Sequence, residues 1–472
     1  MSATKDRNLL LIVSDQHKAD VAGCYGNPVA RTPNLDRLAS LGVRFGRAYC
    51  PSPLCAPSRG AMMTGTHCHT CGAVTQKTPL RMDLPTIGTM LRDAGYATAA
   101  YGKMHIVGED QDHDLGFSER GLRIFTHTIH NYADVLPEDR RRKYWAGGDG
   151  EWDKRNYNPW NRPIDMAEED LLDTMTAARG IGFLREHRND RFCLYIGLEK
   201  PHPDWYAPPA YHALYRPEDM PLPQDWNRRL EGVPASMRRR QEYLESAEYT
   251  EAEARGCMAA YYANVSYIDA QIGRLLEALE RLALTERTLI VYASDHGEAL
   301  FDNGWLQKHC FMEPVVRVPL MMAGSGRLPP GTVQPGIVNL IDLFPTLADL
   351  LGLEPPEGLE GKSLLPLIAA REPVQGRETY SEYYWTCSPS RMVRTDHWKY
   401  IHTEGEAPQL YDMLRDPREH VNLAAQPGHA GLCAHLKGRV MDGWEIPELD
   451  IELTAIESRY RQKARWEANR AR

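Results

Sequence analysis

The sequence predicts an α/β fold: a large, mainly parallel central sheet flanked by helices, followed by a smaller C-terminal α+β unit. Three observations carry this expectation. Short apolar, β-rich runs alternate with helical patterns through most of the chain, the arrangement that favours parallel strands with helices on both faces. The 472 residues, 42% hydrophobic and 25% charged, suffice for one large domain with an appended unit. Beyond the turn-rich EPPEGLEGKSLLP, the pattern changes to SRMVRTDHWKYIHT and QLYDMLRDPREHVNLA, which reads as an antiparallel hairpin.

The strand candidates are LLLIVSD (9–15), YATAAYGK (96–103), FCLYIGLEKPH (192–202), TLIVYASDHGE (288–298) and VPLMMAG (318–324). Between the third and fourth, Tyr261, Val265, Ile268, Ile272, Leu275 and Leu279 recur at helical spacing and form a packing face. A further helical stretch covers 341–351. Two segments read as surface excursions, 126–165 and the proline-rich 203–250; each is either a functional lid or a variable loop. The expected organisation is a main domain over 1–375, an α+β subdomain over 376–444, and a charged, helical tail over 445–472. Such a tail packs on the surface or on a neighbouring copy, so a homo-oligomer is an expected state.

Charge and patterning exclude several classes. A net charge of -9 and a pI near 6.0 provide no basic footprint for nucleic acid. The N-terminal apolar run, Leu9 to Val13, leads into polar residues without a small-residue cleavage site, so a cytoplasmic protein is expected. No window approaches the roughly 20 apolar residues of a membrane helix. Ten cysteines in that compartment are expected to be mostly reduced.

In open α/β sheets the ligand site lies beyond the carboxyl ends of the strands. The first run ends in Asp15 and Gln16, the second in Lys103 and His105, the third in Lys200 and His202, the fourth in Asp295 and His296. Each residue alone has a plain reading as a helix cap, a surface imidazole or a solvated lysine. Together they put chemically capable groups on one edge. The stretch SPLCAPSRGAMMTG adds a helix start, with Pro57 in the first turn and Gly65 at the C-terminal cap. Cys55 then sits at a helix N-terminus, where free amides favour an anion. Arg59, four residues on, shares its face and offers a forked donor to sulfate or phosphate. A Cys-x5-Arg phosphate loop does not fit, because Arg59 follows too soon. A zinc site from Cys50, Cys55, Cys68 and Cys71 with His67 and His69 matches no standard spacing, and Cys68 and Cys71 read equally as small buried hydrophobes.

Cys55-Ala56-Pro57-Ser58-Arg59 followed by Thr64-Gly65, and GYATAAYGKMH over 95–105, resemble the two signatures of the formylglycine-dependent sulfatases of the alkaline phosphatase superfamily. Asp15, SDHGE at 294–298, Lys308 before Val318-Pro319, VRTDHWKY and LYDMLRDPREHVNLA extend the resemblance over nearly the whole chain. It implies an alkaline phosphatase-like fold and cleavage of an organic sulfate monoester to an alcohol and inorganic sulfate. It further implies that a maturation enzyme oxidises Cys55 to formylglycine (3-oxoalanine), whose hydrated form attacks sulfur. Asp15 and Asp295, with Gln16 or His296 and residue 55, would hold one divalent cation, and Ca2+ suits oxygen ligands. Lys103, Lys308, His202 and Arg59 would hold the sulfate oxygens. His202 or Lys308 would protonate the leaving oxygen, and His105 would help release sulfate.

Asp15-Gln16 and Asp295-His296 depart from the commonest Asp-Asp and Asp-Asn pairs. An imidazole ligand shifts preference toward transition metals, so Mn2+ stands beside Ca2+, with Mg2+ a further alternative. These pairs, with EKPHP at 199–203, resemble choline sulfatases, near the arylsulfatases, and also phosphonate monoester hydrolases. Gln76 stands where those relatives carry a substrate-binding Asn. The intact Gly-Lys-x-His around Lys103 favours sulfate over phosphonate or phosphodiester substrates; an inactive scaffold would lack site groups, and none is missing. For the alcohol side, Tyr132, Trp145, Trp152, Trp160, Trp205 and Tyr206 offer either an aromatic wall or cation cage or simple packing.

Overall fold

The structure is a computed structural model that describes residues 7–106, 114–122, 166–244, 246–324, 326–370, 376–384 and 388–446. The expectations for 126–165, with Tyr132, Trp145, Trp152 and Trp160, and for the tail beyond Ile446 lie outside the described residues.

Among those residues nine strands form the large sheet: β1 (Asn8–Ser14), β2 (Gly42–Tyr49), β3 (Ala97–Gly102), β4 (Glu119–Gly121), β5 (Phe192–Gly197), β6 (Thr288–Ser294), β7 (Arg317–Val318), β8 (Leu320–Gly324) and β9 (Thr332–Asn339). Their order is β4-β3-β5-β1-β6-β8-β2-β7, with β9 beside β2. The half around β1 is parallel: β1 pairs with β5 and β6, and β3 with β4 and β5. The fifth apolar run departs from the mainly parallel expectation, since β8 runs antiparallel to both β6 and β2. After β6 the chain stays at the carboxyl edge through 295–316 without a helical crossover, so the next strand returns in the opposite direction.

The core explains why the first four runs stand out in the sequence. Leu9, Leu11 and Val13 share one cluster with Met62, Leu343 and Leu347, whereas Leu10 and Ile12 share another with Ile268, Ile272 and Leu275. A strand buried on both faces is apolar at every position instead of alternating. On one side lie the helices Cys55–Thr64 and Leu343–Leu351; on the other lie Pro33–Ser40, Leu172–Glu186 and the long Glu251–Arg281. A capping box between Thr250 and Glu253 starts that long helix, and all six residues of the expected face are buried. β2 and β9 escape the sequence reading because Arg44, Gly46 and Arg47 interrupt the first. Pro335 and Gly336 interrupt the second at a register shift between Phe45 and Arg47.

The 203–250 excursion is packed. Trp205, Tyr215, Met220 and Leu230 are buried, and Trp205 meets Tyr261 edge-on at 5.4 Å between centroids. The C-terminal sheet is antiparallel, in the order β10 (Thr379–Tyr383), β11 (Ser390–Arg394), β12 (Trp398–Thr403), β13 (Gln409–Asp412). The expected hairpin is β11–β12. No described helix is long and apolar enough to cross a membrane.

Two glycines let β3 and β5 converge at the carboxyl edge. Gly102, at φ +83°, is in register with Gly197. A Cβ on Gly197 would stand 1.9 Å from the Lys103 carbonyl oxygen, a backbone clash that no side-chain rotation relieves. Gly197→Ala is therefore expected to destabilise the fold by about 1–3 kcal/mol or more and to displace Lys103. A thermal unfolding midpoint equal to that of the parent protein would contradict this.

Candidate active site

The strands β3, β5, β1 and β6 are consecutive neighbours and mutually parallel, so their carboxyl ends bring Lys103 and His105, Lys200 and His202, Asp15 and Gln16, and Asp295 and His296 to one edge. The Cys55–Thr64 helix begins there, and Gly65 closes it at φ 66°. Cys55 is fully buried. Its Sγ lies 3.0 Å from Lys308 Nζ, 3.2 Å from His296 Nε2 and 3.7 Å from Asp15 Oδ1. His105 and His202 also face it, and Lys103 Nζ sits 2.5 Å from Asp15 Oδ2. Lys200 turns away: its ammonium donates to the Asp204 carbonyl at 2.8 Å and lies 3.6 Å over the Tyr206 ring. Gln76 is beside the site, where its Oε1 accepts from Ala56 N at 3.2 Å in the first helical turn.

Arg59 does something other than expected. Its Nε donates to Asp295 Oδ2 at 2.7 Å, and its Nη1 to the Lys103 carbonyl at 2.7 Å and Tyr195 Oη at 2.9 Å. Its Nη2 reaches the Ser14 carbonyl at 3.3 Å and Asp15 Oδ2 at 3.4 Å. A guanidinium has five N–H donors, and protein acceptors take them all. Arg59 thus holds the carboxylates in place, where the sequence reading aims it at the bound anion.

The Asp15, Cys55, Asp295 and His296 ligand atoms all lie within 4.8 Å of one another, and all four residues are buried. Gln16 donates its backbone N–H to Asp295 Oδ1 at 3.1 Å and its side-chain amide to Glu298, and its Oε1 is buried without a hydrogen-bond partner. Two carboxylates, an imidazole and an orphaned amide oxygen are a donor set that fits a divalent cation.

The electrostatics follow from that crowding. Burial pushes the Cys55 thiol up, but Lys308, Lys103 and His296 together hold it well below its ordinary value; the position is built to carry negative charge. Asp15 stays below the usual carboxylate range against burial and Cys55, because the Lys103 and Lys308 ammonium groups face it. Burial and the Asp15 charge raise Asp295, with Arg59 opposing. Burial, Lys308 and Lys103 push His202 down to about 3, so its imidazole is neutral and its Nδ1–H donates to the Pro203 carbonyl at 2.5 Å. Backbone strain clusters here too. Gln16 (φ 67°), His105 (φ 45°), Gln307 (φ 67°) and His309 (φ 77°) are left-handed, each at a cost of about 1–3 kcal/mol.

The alternative zinc grouping is not assembled. Cys68 donates to the carbonyls of Pro51 and Pro57, Cys71 to that of Cys68, and His69 pairs with Glu382. Burial pushes the Cys71 thiol up to about 12, as expected of an inert packing residue. The described cysteines form no disulfide. Sequence reasoning misses Tyr195, Ser58, whose hydroxyl donates to the Asp295 carbonyl at 2.5 Å, and Glu298, which accepts from Gln16, Leu300 N and Gln307 N. Ser58 and Glu298 lie inside the CAPSR and SDHGE runs, so their position was the available signal.

Comparison with known proteins agrees with this geometry. The sulfatase family pattern matches residues 7–353, and that of the N-sulphoglucosamine sulphohydrolase C-terminal region matches residues 301–444. A choline-sulfatase of Rhizobium meliloti is 31% identical over 446 residues, covering 89% of this chain and 83% of its own. A multifunctional alkaline phosphatase superfamily protein, PehA, of Trinickia caryophylli is 27% identical over 507 residues, covering 96% and 98%. The crystal structure of a phosphonate monoester hydrolase of Agrobacterium radiobacter superposes with a TM-score of 0.79 at 23% identity, covering 92% of this chain and 95% of that one. With its family pattern spanning the entire large sheet and Cys55 seated among two aspartates, a histidine and two lysines, the chain belongs to the sulfatase family of the alkaline phosphatase superfamily.

Proposed function

We propose that the protein hydrolyses an organic sulfate monoester to an alcohol and inorganic sulfate at the Cys55 site. The observation that carries this reading is the buried Cys55 Sγ, at a helix N-terminus, held by Lys308 and His296 next to Asp15. Oxidation of Cys55 to formylglycine by a maturation enzyme supplies an oxygen nucleophile in place of the thiol. Asp15, Asp295, His296 and residue 55, with Gln16 Oε1 alongside, would hold a divalent cation that supplies Lewis acidity and orients the nucleophile. Ca2+ suits the oxygen ligands; Mn2+ is the alternative that His296 favours, with Mg2+ a further one.

The chain's own residues account for the rest. Lys103 and Lys308 place positive charge where the sulfate oxygens gather charge in the transition state. Lys308, whose ammonium reaches position 55, is the proton source for the leaving alcohol. Neutral His202, with Nδ1 committed to Pro203, presents Nε2 as an acceptor that orients the hydroxyl at position 55. His105, which faces the same position, takes up a proton as sulfate departs. Gln76 steadies the first turn of the helix. Lys103 within its Gly-Lys-x-His supports sulfate over phosphonate monoesters or phosphodiesters, which remain the competing substrates.

Four outcomes test this reading. Turnover of 4-nitrophenyl sulfate should rise in proportion to the aldehyde fraction at residue 55 measured by peptide mass spectrometry, and should exceed turnover of a phenyl phosphonate monoester. Cys55→Ala should lose on the order of a thousandfold or more, and equal activity in wholly unoxidised protein would sink the proposal. Chelator treatment should abolish turnover, and re-addition of Ca2+, Mn2+ or Mg2+ should identify the native ion by the activity restored; full activity in metal-free protein would refute the cation's role. Arg59→Lys, which keeps the charge but loses the fork, should lower bound metal and turnover together, whereas a variant with raised KM alone would return Arg59 to the substrate.

A further inference from the structure

Glu298 closes the SDHGE run and is fully buried. Its Oε1 accepts the backbone N–H of Leu300 at 2.9 Å and that of Gln307 at 2.5 Å, and its Oε2 accepts the side-chain amide of Gln16. Three N–H donors thus converge on its two oxygens, the arrangement of an ionised carboxylate, which can only accept. With Oε1 taken by two backbone amides, the group opposite Oε2 has to be a donor. That requirement fixes which end of the Gln16 amide faces Glu298: Nε2 turns toward it, and Oε1 is left for the other side.

The other polar atoms of Gln16 are engaged. Its backbone, left-handed at φ 67°, donates its N–H to Asp295 Oδ1 at 3.1 Å, and its carbonyl accepts the Tyr261 hydroxyl at 2.7 Å. That hydroxyl also accepts the Lys18 backbone N–H at 2.7 Å, so the Glu251–Arg281 helix holds the main chain on both sides of His17. Oε1 is the Gln16 atom buried without a hydrogen-bond partner. Its chemistry selects what can meet it. An amide N–H pointing into the site would donate to a sulfate oxygen, whereas an amide oxygen repels sulfate and serves as a ligand for a hard cation. The end of the amide that Glu298 takes therefore decides whether Gln16 serves the anion or the metal.

We propose that Glu298 is a positioning residue for the divalent cation: by holding Gln16 Nε2 it presents Gln16 Oε1 as an oxygen ligand beside Asp15 and Asp295. The proposal rests on the cation reading of the site, and its test separates the two. Metal-stripped protein, with residue 55 in one fixed oxidation state, is titrated calorimetrically with CaCl2, MnCl2 and MgCl2. Glu298→Gln keeps an oxygen for Leu300 and Gln307 but offers Gln16 an N–H, which draws Oε1 away from the cation and turns Nε2 toward it. Affinity for the ion that the parent binds most tightly should fall by about 10–100-fold, the usual cost of losing the partner that orients a metal ligand. The rise in thermal unfolding midpoint on adding that ion should shrink with it, while the metal-free midpoint stays close to that of the parent. In the double variant Gln16→Glu/Glu298→Gln, a carboxylate at position 16 accepts from the new amide and still offers an oxygen to the cation, so binding should be at least as tight as in the parent. Parental affinity in Glu298→Gln, or a double variant that binds no more tightly than the single one, overturns the assignment. Should Glu298→Gln fail to fold, the double variant decides by itself, and binding weaker than the parent's overturns it. A parent protein that takes up none of the three ions refutes the cation reading and this assignment together, whereas loss confined to the variants' predicted pattern refutes the assignment alone. No turnover enters these measurements, so they stand whichever ester the protein cleaves.

Discussion

One buried guanidinium ties the site together. Arg59 reaches the main chain or side chains at the ends of β3, β5, β1 and β6, through the Lys103 carbonyl, Tyr195, Ser14 with Asp15, and Asp295. Two buried aspartates at that edge would repel each other and be driven to protonate. A cation between them lets both stay in place, and because every one of its donors is satisfied, the charge itself can be buried. The spacing of the four strand ends, and with it the placement of Asp15, Lys103 and Asp295 around Cys55, follows from this contact.

The same contact shows how far the sequence could be read. The four strands that feed the site were legible because burial on both faces makes them continuously apolar. The polar residues that end them were legible because a parallel sheet gathers carboxyl ends. The placement of Cys55 and Arg59 on one helix face followed from their i, i+4 spacing. What awaits Arg59 on that side did not follow, because spacing names a direction and the partners come from strands far away in the chain. Tyr195 and Glu298 were hidden for a related reason: a tyrosine in a strand and a glutamate after one are ordinary until the fold aims them. The reversed direction of β8 was hidden because an apolar run carries no sign of its orientation.

Strain accompanies the polar groups. Gln16, His105, Gln307 and His309 take left-handed backbone conformations within one or two residues of Asp15, Lys103 or Lys308. Turning the chain sharply at these points lets a strand end or loop direct its side chain inward instead of along the strand. The stability lost there is made up by the two large cores on either face of the sheet.

Glu382, at the end of the first C-terminal strand, is fully buried. Its backbone N–H donates to the Pro51 carbonyl at 2.8 Å, and its carboxylate receives His69 Nδ1 at 2.7 Å and Tyr384 Oη at 3.0 Å, with Arg391 3.3 Å away. The segment just before Cys55 is thereby fastened to the second sheet, whose Met392, Tyr400 and Leu410 share a core with β1. The two sheets share one core and this carboxylate, so loosening the C-terminal strands would expose a paired buried charge and release the chain that leads into Cys55.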